Sequence, residues 1–270
     1  MKISIKSPAK INLYLKILSK NKDGYHNLDT SFQLIDLYDS MTFEHIKDGL
    51  KIETNNSSID SINNTIHKAV LSMQELSKQN YGIKIKVEKN IPIGAGLGGG
   101  SSNAASTIIV LNKLWELNLS QFEMMNIGKR IGADVPFFIN CKNAFASGIG
   151  DVLQEKESDT SKYIIIDPKI FNSTKKMFSD YESFKKDKNE LISNYQNSFW
   201  GIFLKENKEV EIFYKQNIKK YRIFLSGSGS TMFIKYNSDV EKEKILKIIP
   251  ANWRFFLAKP LQYSPLMEFV

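Results

Sequence analysis

Apolar and polar residues alternate along several short stretches in the first third of the chain, which is the pattern of half-buried β-strands. Between residues 82 and 88, Ile83, Ile85 and Val87 alternate with lysines. Alternating or short apolar stretches also predict strands over residues 2–6, 11–18, 32–37 and 41–45, and Asn21–Gly24 carries turn-forming residues. We therefore expect the first third of the chain to contribute several strands to a sheet.

Helical spacing predicts two helices in the same half of the chain, besides one that follows a glycine-rich run. Between residues 64 and 79 apolar residues recur every three or four positions, at Ile66, Val70, Met73 and Leu76. A helix over residues 121–131 is predicted to begin at Ser120. Ser120 and Glu123 have the spacing of a capping box, in which each side chain bonds the other residue's backbone N–H.

A polar, acidic stretch without a clear period at residues 149–162 separates the two halves of the chain. We place a domain boundary within it, which gives domains 1–152 and 153–270. Beyond it, strands are predicted over residues 163–167, 222–225, 232–236 and 254–258, and a helix over 239–249. Residues 172–196 are polar and lysine-rich, which indicates helix with loops. The mixed order of elements favours an α+β fold over a regularly alternating parallel sheet.

Composition is that of an ordinary globular protein and restricts the class of partner. The chain has 270 residues, 42% hydrophobic and 24% charged, which is enough for one large or two modest domains. Its net charge of +8 suits anionic partners, although the lysines are scattered. The single cysteine, Cys141, excludes an intramolecular disulfide, and no apolar stretch approaches the roughly 20 residues of a membrane span. We expect a cytoplasmic protein with no membrane association and no nucleic-acid partner.

The strongest chemical signal is a glycine-rich run from Pro92 to Ala105, between a predicted strand and a predicted helix. Glycines let the backbone approach a ligand closely, and the first N–H groups of a helix are free to bind phosphate. The run lacks the Gly-Lys-Ser/Thr of a Walker A loop and the acidic residue that a dinucleotide site has about 20 positions later. Ser101 and Ser102 offer hydroxyls to phosphate or to a metal ion. The alternative is a flexible surface loop, which the strand–helix context disfavours.

Candidate catalytic groups occur on both sides of this run. Lys10 and Asn12 share one face if a strand begins there, although a lone lysine is more often solvated. Asp134 lies between Gly132, which ends a helix, and Pro136, which suits the first turn of the next. Asp134 is therefore either a helix N-cap, which spacing alone favours, or a carboxylate that accepts a proton from an alcohol.

Two further segments have both a ligand-binding and a structural interpretation. Tyr25 and His26 follow a turn, where they either pack locally or stack on and hydrogen-bond a planar heterocycle. The loop between the strands at 222–225 and 232–236 is either a ligand loop or an ordinary hairpin. Its small residues include Gly227, Ser228 and Gly229.

Together these segments resemble the motifs of the GHMP kinase superfamily, named for galactokinase and for homoserine, mevalonate and phosphomevalonate kinases. The resemblance is carried by SPAKINLYL near the N-terminus, IPIGAGLGGGSSNAAS in the middle and LSGSGSTMF near the end. GADVPFF resembles the catalytic-aspartate segment, and DGYHNLDTSFQLIDLYD resembles the substrate segment of members that act on a cytidine diphosphate compound. The resemblance covers nearly the whole chain and is thinnest over residues 169–220. It implies a two-domain α+β fold with the active site in the interdomain cleft.

The resemblance implies an ATP-dependent kinase for a small-molecule alcohol, with Mg²⁺ as cofactor. Asp134 would be the general base toward the substrate hydroxyl, Lys10 would keep it ionised, and Asn12 would help to position the substrate. The ATP-binding residues would be Asn64, Thr65, Pro92, Gly94, Gly96, Leu97, Gly98, Gly99, Gly100, Ser101 and Ser102. The family often has leucine where Thr65 stands. The residues toward cytosine and the substrate phosphates would be Tyr25, His26, Thr174, Phe178, Gly227, Ser228 and Gly229. The metal ligands stay unidentified.

Three alternative functions are open at this point. A homoserine or mevalonate kinase of the same superfamily would have no base for Tyr25 and His26 to bind. An RNA-binding protein would cluster its basic residues with aromatic ones. A nucleotide-binding regulator without activity would not need both Lys10 and Asp134. The sequence is compatible with a monomer and with a homodimer.

Overall fold

Two β-sheets organise the chain in the computed structural model, which describes residues 2–22, 24–56, 64–77, 81–187 and 196–270. Within these residues the larger sheet has six strands, β1 (Lys2–Lys20), β2 (His26–Ile46), β3 (Leu50–Thr54), β4 (Gly82–Glu88), β5 (Ala144–Ser147) and β6 (Val152–Glu155). Their order is β3-β4-β2-β5-β6, and β1 pairs with β2.

The smaller sheet belongs to the second half of the chain. Its four strands among the described residues are β7 (Lys162–Asp167), β8 (Ile223–Leu225), β9 (Met232–Tyr236) and β10 (Arg254–Ala258). They pair antiparallel in the order β10-β7-β9-β8.

Helices from each half pack mainly against the sheet of that half. The first hydrophobic core takes in the larger sheet together with α1 (Thr65–Gln74), α2 (Gly99–Leu114), α3 (Gln121–Ile131) and α4 (Val135–Asn140). The second takes in the smaller sheet together with α5 (Thr174–Asp187), α6 (Trp200–Glu206), α7 (Lys208–Asn217) and α8 (Asp239–Leu246). A 3₁₀ helix, Pro265–Phe269, returns to the first core through Leu266. The fold is α+β, which confirms the prediction.

A third hydrophobic cluster joins the two sheets. Ile11 of β1 and Ile35 of β2 meet Phe224 of β8 and Phe233 of β9 in this cluster. Leu97 of the glycine-rich run belongs to the same cluster and is almost fully buried. The run is therefore anchored where the two halves of the molecule meet.

Two pairs of predicted strands are each one continuous strand in the structure. Residues 2–6 and 11–18 both lie in β1, and residues 32–37 and 41–45 both lie in β2. The register between β1 and β2 shifts between Pro8 and Ala9 and again between Asn12 and Tyr14. Such bulges break the alternation of buried and exposed residues while pairing continues on either side, so the pattern was interrupted without the strand ending.

The helix predictions hold in position but not always in length. The helix predicted over 64–79 covers Thr65–Gln74, and residues 78–79 lie outside the described residues. The capping box of Ser120 and Glu123 is confirmed. The helix predicted over 239–249 ends at Leu246. In the lysine-rich segment the structure has α5, and residues 188–195 lie outside the described part.

Several elements had no sequence prediction, namely β3, β5, β6, α6, α7 and the 3₁₀ helix at Pro265–Phe269. Strand β6 lies at the edge of the larger sheet and is largely exposed, so its sequence needs no apolar alternation. The larger sheet continues to Glu155 and the smaller begins at Lys162. The domain boundary after residue 152 stays a prediction.

Candidate active site

A cleft of about 460 Å³ lies beside the glycine-rich run and takes residues from both halves of the chain. From the first half it is lined by β1, β2, the start of α1, the run itself and the start of α4. From the second half it is lined by Thr174, Phe178, Phe199, Gly227 and Ser228. Most of the candidate residues named above therefore share one cavity.

Protein groups bind the carbonyl oxygens along one edge of the run. Gly94 O accepts from Asn172 N at 3.0 Å, Ala95 O from Thr231 N at 3.1 Å, Gly96 O from Ser226 Oγ at 2.9 Å and Leu97 O from Lys10 N at 3.0 Å. In a trans peptide the C=O and the following N–H point in opposite directions. Since these carbonyls face the protein, the N–H groups of residues 95–98 face the other way, so the peptide planes suit an anion.

Glycine is required at two of these positions by close contacts. Gly96 and Gly98 have φ values of 78° and 72°, in the left-handed region. A Cβ on Gly96 would overlap the carbonyl oxygen of Ser226, and a Cβ on Gly98 would lie 2.9 Å from the ring of Phe138. The run can lie this close to its neighbours only because these residues have no side chain.

The first turn of α2 continues the anion-binding surface. Gly98 occupies the N-cap position and provides no side-chain cap, so the first N–H groups of the helix stay available to a ligand. Ser101 lines the cleft. Ser102 does not line it, because its side chain is fully buried and shares a hydrogen bond of 2.8 Å with Ser7 Oγ. The structure therefore gives the hydroxyl of Ser102 a structural contact rather than the expected place toward phosphate or metal.

A buried ion pair supports the glycine-rich run and the first turns of α2, and no sequence pattern indicated it. Lys89, after β4, pairs with Asp39 of β2, and both side chains are almost fully buried. Lys89 Nζ also donates to Asn103 Oδ1 at 2.8 Å, on the first turns of α2. Burial lowers the pKa of the Lys89 amine, while the charge of Asp39 opposes that shift. Lysines alternate along β4, so Lys89 could not be told from its solvated neighbours.

Lys10 and Asp134 meet in the cleft. Lys10 Nζ lies 3.4 Å from Asp134 Oδ2 and donates to Asn12 Oδ1 at 2.7 Å. Lys10 is 3% exposed, and its amine lies 5.2 Å from the ring centre of Phe32. Asp134 occupies the N-cap position of α4, but its side chain makes no capping hydrogen bond. The carboxylate is thus free to face Lys10. Asp134 has the N-cap position that the spacing favoured, and its role as a proton acceptor stays a prediction.

Asn12 has a fixed orientation beside this pair. Its Nδ2 donates to Thr30 Oγ1 at 2.8 Å, and Thr30 Oγ1 donates to the carbonyl of Tyr14 at 2.5 Å. Because the amide nitrogen is committed to Thr30, the amide oxygen points to Lys10. This chain of contacts holds the lysine amine in place.

The other end of the cleft holds the residues expected near a nucleobase of ATP. Asn64 and Thr65 both line it. Asn64 caps α1 by accepting from His67 N at 2.8 Å, and Thr65 Oγ1 donates to Gly100 O at 2.8 Å. The threonine, which stands where the family often has leucine, thus ties α1 to the first turn of α2.

The aromatic end of the cleft differs from the expected arrangement. Phe178 and Thr174 line the cleft, and Thr174 Oγ1 lies 3.0 Å from Ser228 Oγ. The ring that stacks on Phe178 is that of His26, with a centroid distance of 5.2 Å. Tyr25 is 62% exposed and does not line the cleft, so Tyr25 and Phe178 do not face each other across a ring-sized gap. Gly229 also does not line the cleft, unlike Gly227 and Ser228.

The described part of the chain has neither a membrane-spanning helix nor a cluster of metal-binding side chains. No helix there is both long enough and apolar enough to cross a bilayer. The same residues contain no group of three or more His, Cys, Asp or Glu side chains that could hold a metal ion.

Comparison with known proteins agrees with this fold. Residues 64–142 match the family model described as GHMP kinases N terminal domain. A solved mevalonate kinase has the same fold, with a TM-score of 0.66 at 15% identity over 96% of this chain and 99% of that one. The family match and the fold together indicate the class of GHMP kinases.

Closer relatives narrow the class. The chain is 38% identical over 275 residues to the 4-diphosphocytidyl-2-C-methyl-D-erythritol kinase of Acinetobacter baumannii, covering 99% of this chain and 98% of that protein. A solved 4-(cytidine 5'-diphospho)-2C-methyl-D-erythritol kinase has a TM-score of 0.79 at 26% identity, covering 96% of this chain and 99% of that one. The chain belongs to the family of 4-diphosphocytidyl-2-C-methyl-D-erythritol kinases. It is a small-molecule kinase that uses ATP.

Proposed function

We propose that this kinase transfers the γ-phosphoryl group of ATP to the 2-hydroxyl of 4-diphosphocytidyl-2-C-methyl-D-erythritol, with Asp134 as general base. The observation that carries the proposal is the 3.4 Å contact between Lys10 Nζ and Asp134 Oδ2, in the same cleft as the glycine-rich run. Phosphoryl transfer depends mainly on positioning and on neutralising developing charge. A carboxylate, a buried cation and outward-facing N–H groups in one cleft provide both.

In the proposed step, one bond to phosphorus forms as another breaks, and the released proton is taken up in the cleft. The substrate oxygen bonds to the γ-phosphorus while the bond from that phosphorus to the bridging oxygen of ADP breaks, and the hydroxyl proton passes to Asp134. A carboxylate is a weak base toward an alcohol, so it accepts the proton late, as the new bond forms. The amine of Lys10, 3.4 Å from Asp134 Oδ2, stabilises negative charge on the reacting oxygens.

The remaining candidate residues divide between the two substrates. N–H groups of the run and of the first turn of α2 would bind the ATP phosphates, and Asn64 and Thr65 would lie by the adenine. Gly227 and Ser228 would approach the substrate diphosphate, and His26 and Phe178 would bind its cytosine. Tyr25 would have to turn inward to cover the base, since it is exposed in this structure.

We further propose that Mg²⁺ enters with ATP and is held mainly by phosphate oxygens and water, as is usual for this ion in kinases. Ser101 and Asp134 line the cleft and offer the oxygen ligands that Mg²⁺ prefers. When bound, the ion neutralises phosphate charge. With the ion bound, one oxygen of Asp134 still has to face the alcohol to accept its proton. The contact of Lys10 with Asp134 helps to hold the carboxylate in that orientation.

A coupled ADP-release assay with Mg-ATP tests the proposal. The acceptors are 4-diphosphocytidyl-2-C-methyl-D-erythritol, mevalonate and homoserine, offered to the wild type and to Asp134→Asn. We expect turnover of the cytidyl compound alone, and a fall in kcat of about 10²- to 10⁴-fold in the variant. Asp239→Asn is the matched control, because Asp239 also lies at the start of a helix but is 86% exposed.

The other outcomes separate the alternatives. Turnover of mevalonate or homoserine would keep the kinase class and contradict the cytosine assignment. Binding of ATP with no turnover of any acceptor would favour a regulator. We also propose that the enzyme works in the cytoplasm as a monomer or a homodimer.

A further inference from the structure

Glu182 on α5 contacts the ring of His26, which does not itself line the cleft but stacks on Phe178, which does. Nε2 of His26 is in hydrogen-bond contact with Oε1 of Glu182. The histidine side chain is 8% exposed and the glutamate side chain 43% exposed, so a buried imidazole meets a carboxylate that reaches solvent. An ionised carboxylate only accepts hydrogen bonds, so Nε2 carries the hydrogen in this contact.

The packing of His26 on Phe178 leaves part of the Phe178 face uncovered by the imidazole. The two rings are nearly parallel, at 19°, with centroids 5.2 Å apart. Atoms of stacked rings approach to about 3.5–4.0 Å, so a longer centroid distance means that the rings are offset. Part of the Phe178 face is therefore uncovered by His26, on a residue that lines the cleft. A base that stacks there would lie edge to edge with the imidazole and meet it through an in-plane hydrogen bond.

We propose that Glu182 is a positioning residue that occupies Nε2 of His26 and leaves Nδ1 to recognise the pyrimidine. This inference rests on the proposed function, since it needs a cytidine diphosphate substrate. Cytosine presents an acceptor at N3 and an amino donor at C4, whereas uracil presents a donor and an acceptor at those positions. An imidazole held in one protonation pattern distinguishes the two bases, and one whose tautomers exchange freely does not.

The protonation pattern of His26 can be measured without any substrate. The chain has three histidines, so ¹⁵N imidazole NMR spectra of the full-length enzyme are simple, and a His26→Gln variant assigns the signals of His26. We expect a protonated Nε2 in the wild type and a mixture of tautomers in Glu182→Ala. Asp180→Asn is the matched control, because Asp180 lies on the same helix and pairs with Lys176. A wild-type His26 without hydrogen on Nε2, or one unaffected by Glu182→Ala, overturns the inference.

Kinetics test the consequence for specificity. Glu182→Ala is expected to raise KM for the cytidyl substrate about tenfold, from the loss of a charge-assisted hydrogen bond, while kcat and KM for ATP stay within about twofold. The preference for the cytidyl substrate over its uridyl analogue should fall, and Glu182→Gln, which keeps an acceptor oxygen, should recover most of it.

The kinetic outcomes also separate this inference from the proposed function. An equal loss on both nucleotides, or a loss in kcat alone, would show that Glu182 only stabilises the fold and would overturn the inference. A wild type that turns over no cytidyl compound would refute the proposed function. In that case the NMR measurement still decides whether Glu182 sets the tautomer of His26.

Discussion

At the scale of single residues, the side chain of Lys10 fits in its place because two neighbouring residues are glycines without side chains. A Cβ on Gly98 would lie 3.2 Å from Lys10 Cε, and a Cβ on Gly227 would lie 3.4 Å from Lys10 Nζ. Gly98 belongs to the first half of the chain and Gly227 to the second. The lysine amine is therefore enclosed by loops from both halves, beside the carboxylate of Asp134. In such a buried place a charge acts with less screening than in water.

Replacing Lys10 by methionine should separate its charge from its packing. Methionine keeps a long apolar stem against Phe32 and removes the amine that faces Asp134. We expect kcat to fall by about 10²- to 10³-fold, as when one preorganised donor is removed from an active site, while the circular dichroism spectrum is unchanged. Lys6→Met is the control, because Lys6 lies on the same strand and is exposed. A kcat near that of the wild type would exclude Lys10 from the chemical step.

At the scale of elements, the Asp39–Lys89 pair ties β2 and β4 to the start of α2. Asp39 Oδ1 accepts from the N–H groups of Asn90 and Ile91 at 2.8 and 2.9 Å, which lead directly into the glycine-rich run. Its other oxygen accepts from Asn103 Nδ2 at 3.0 Å. Buried charges are tolerated when they are paired and hydrogen-bonded, and removing one partner leaves the other uncompensated.

Replacing one partner of this pair should therefore lower the stability of the fold more than replacing both. Asp39→Asn is expected to lower the free energy of unfolding by about 3–5 kcal/mol, and Asp39→Asn with Lys89→Met by clearly less, as measured by urea denaturation. Glu88→Gln, which breaks an exposed pair with Lys86, should change it by under about 1 kcal/mol. A double variant as unstable as the single one would mean that the hydrogen bonds of Asp39, not the stranded charge, carry the effect.

The pH dependence provides a second check on the same variant. Burial holds the pKa of Lys89 below its ordinary value, so between the folded and the unfolded pKa the unfolded chain binds more protons. Stability then rises with pH through that alkaline window. Without Asp39, which opposes the shift, the window should widen, and Asp39→Asn should regain stability toward alkaline pH.

Helices and strands could be predicted from the sequence where a pattern of neighbouring residues is enough to determine them. The capping box at Ser120 is complete within four residues, and the strand at Gly82–Glu88 shows its period directly. By contrast, β1 continues through its bulges because it stays paired with β2. Strand β6 forms because it pairs with the free edge of β5. Such elements depend on partners elsewhere in the chain, so no local pattern signals them.

Some features of the site could likewise be predicted from the sequence, and others could not. The glycine-rich run was predicted from residue type and context alone. The contact of Lys10 with Asp134 was expected only from the resemblance, because the two residues are distant in sequence. The hydroxyl of Ser102 was assigned to a ligand because sequence cannot show which way a helix turns its side chains. In the structure it turns toward Ser7.

At the scale of the whole molecule, the third hydrophobic cluster makes the two halves depend on each other. Phe233 is fully buried there and stacks on Phe224, with a centroid distance of 4.8 Å. The hydrogen bonds that Ser226 and Thr231 make to the glycine-rich run cross the same boundary. A cleft shared by both halves would lose its shape if either half unfolded alone, so we expect ATP binding to depend on the packing between them.

The two halves are therefore expected to unfold in one transition. Trp115 lies in the first core, and Trp200 and Trp253 lie in the second, so fluorescence of Trp115→Phe and of Trp200→Phe/Trp253→Phe follows each core separately. We expect coincident urea midpoints for the two cores. Phe233→Ala should lower both midpoints together, by about 3–5 kcal/mol in stability, whereas Phe122→Ala on an exposed side chain should change neither. Separate midpoints in the wild type would show that the halves unfold as independent domains. The hydrogen bonds from Ser226 and Thr231 to the glycine-rich run would then contribute little to stability.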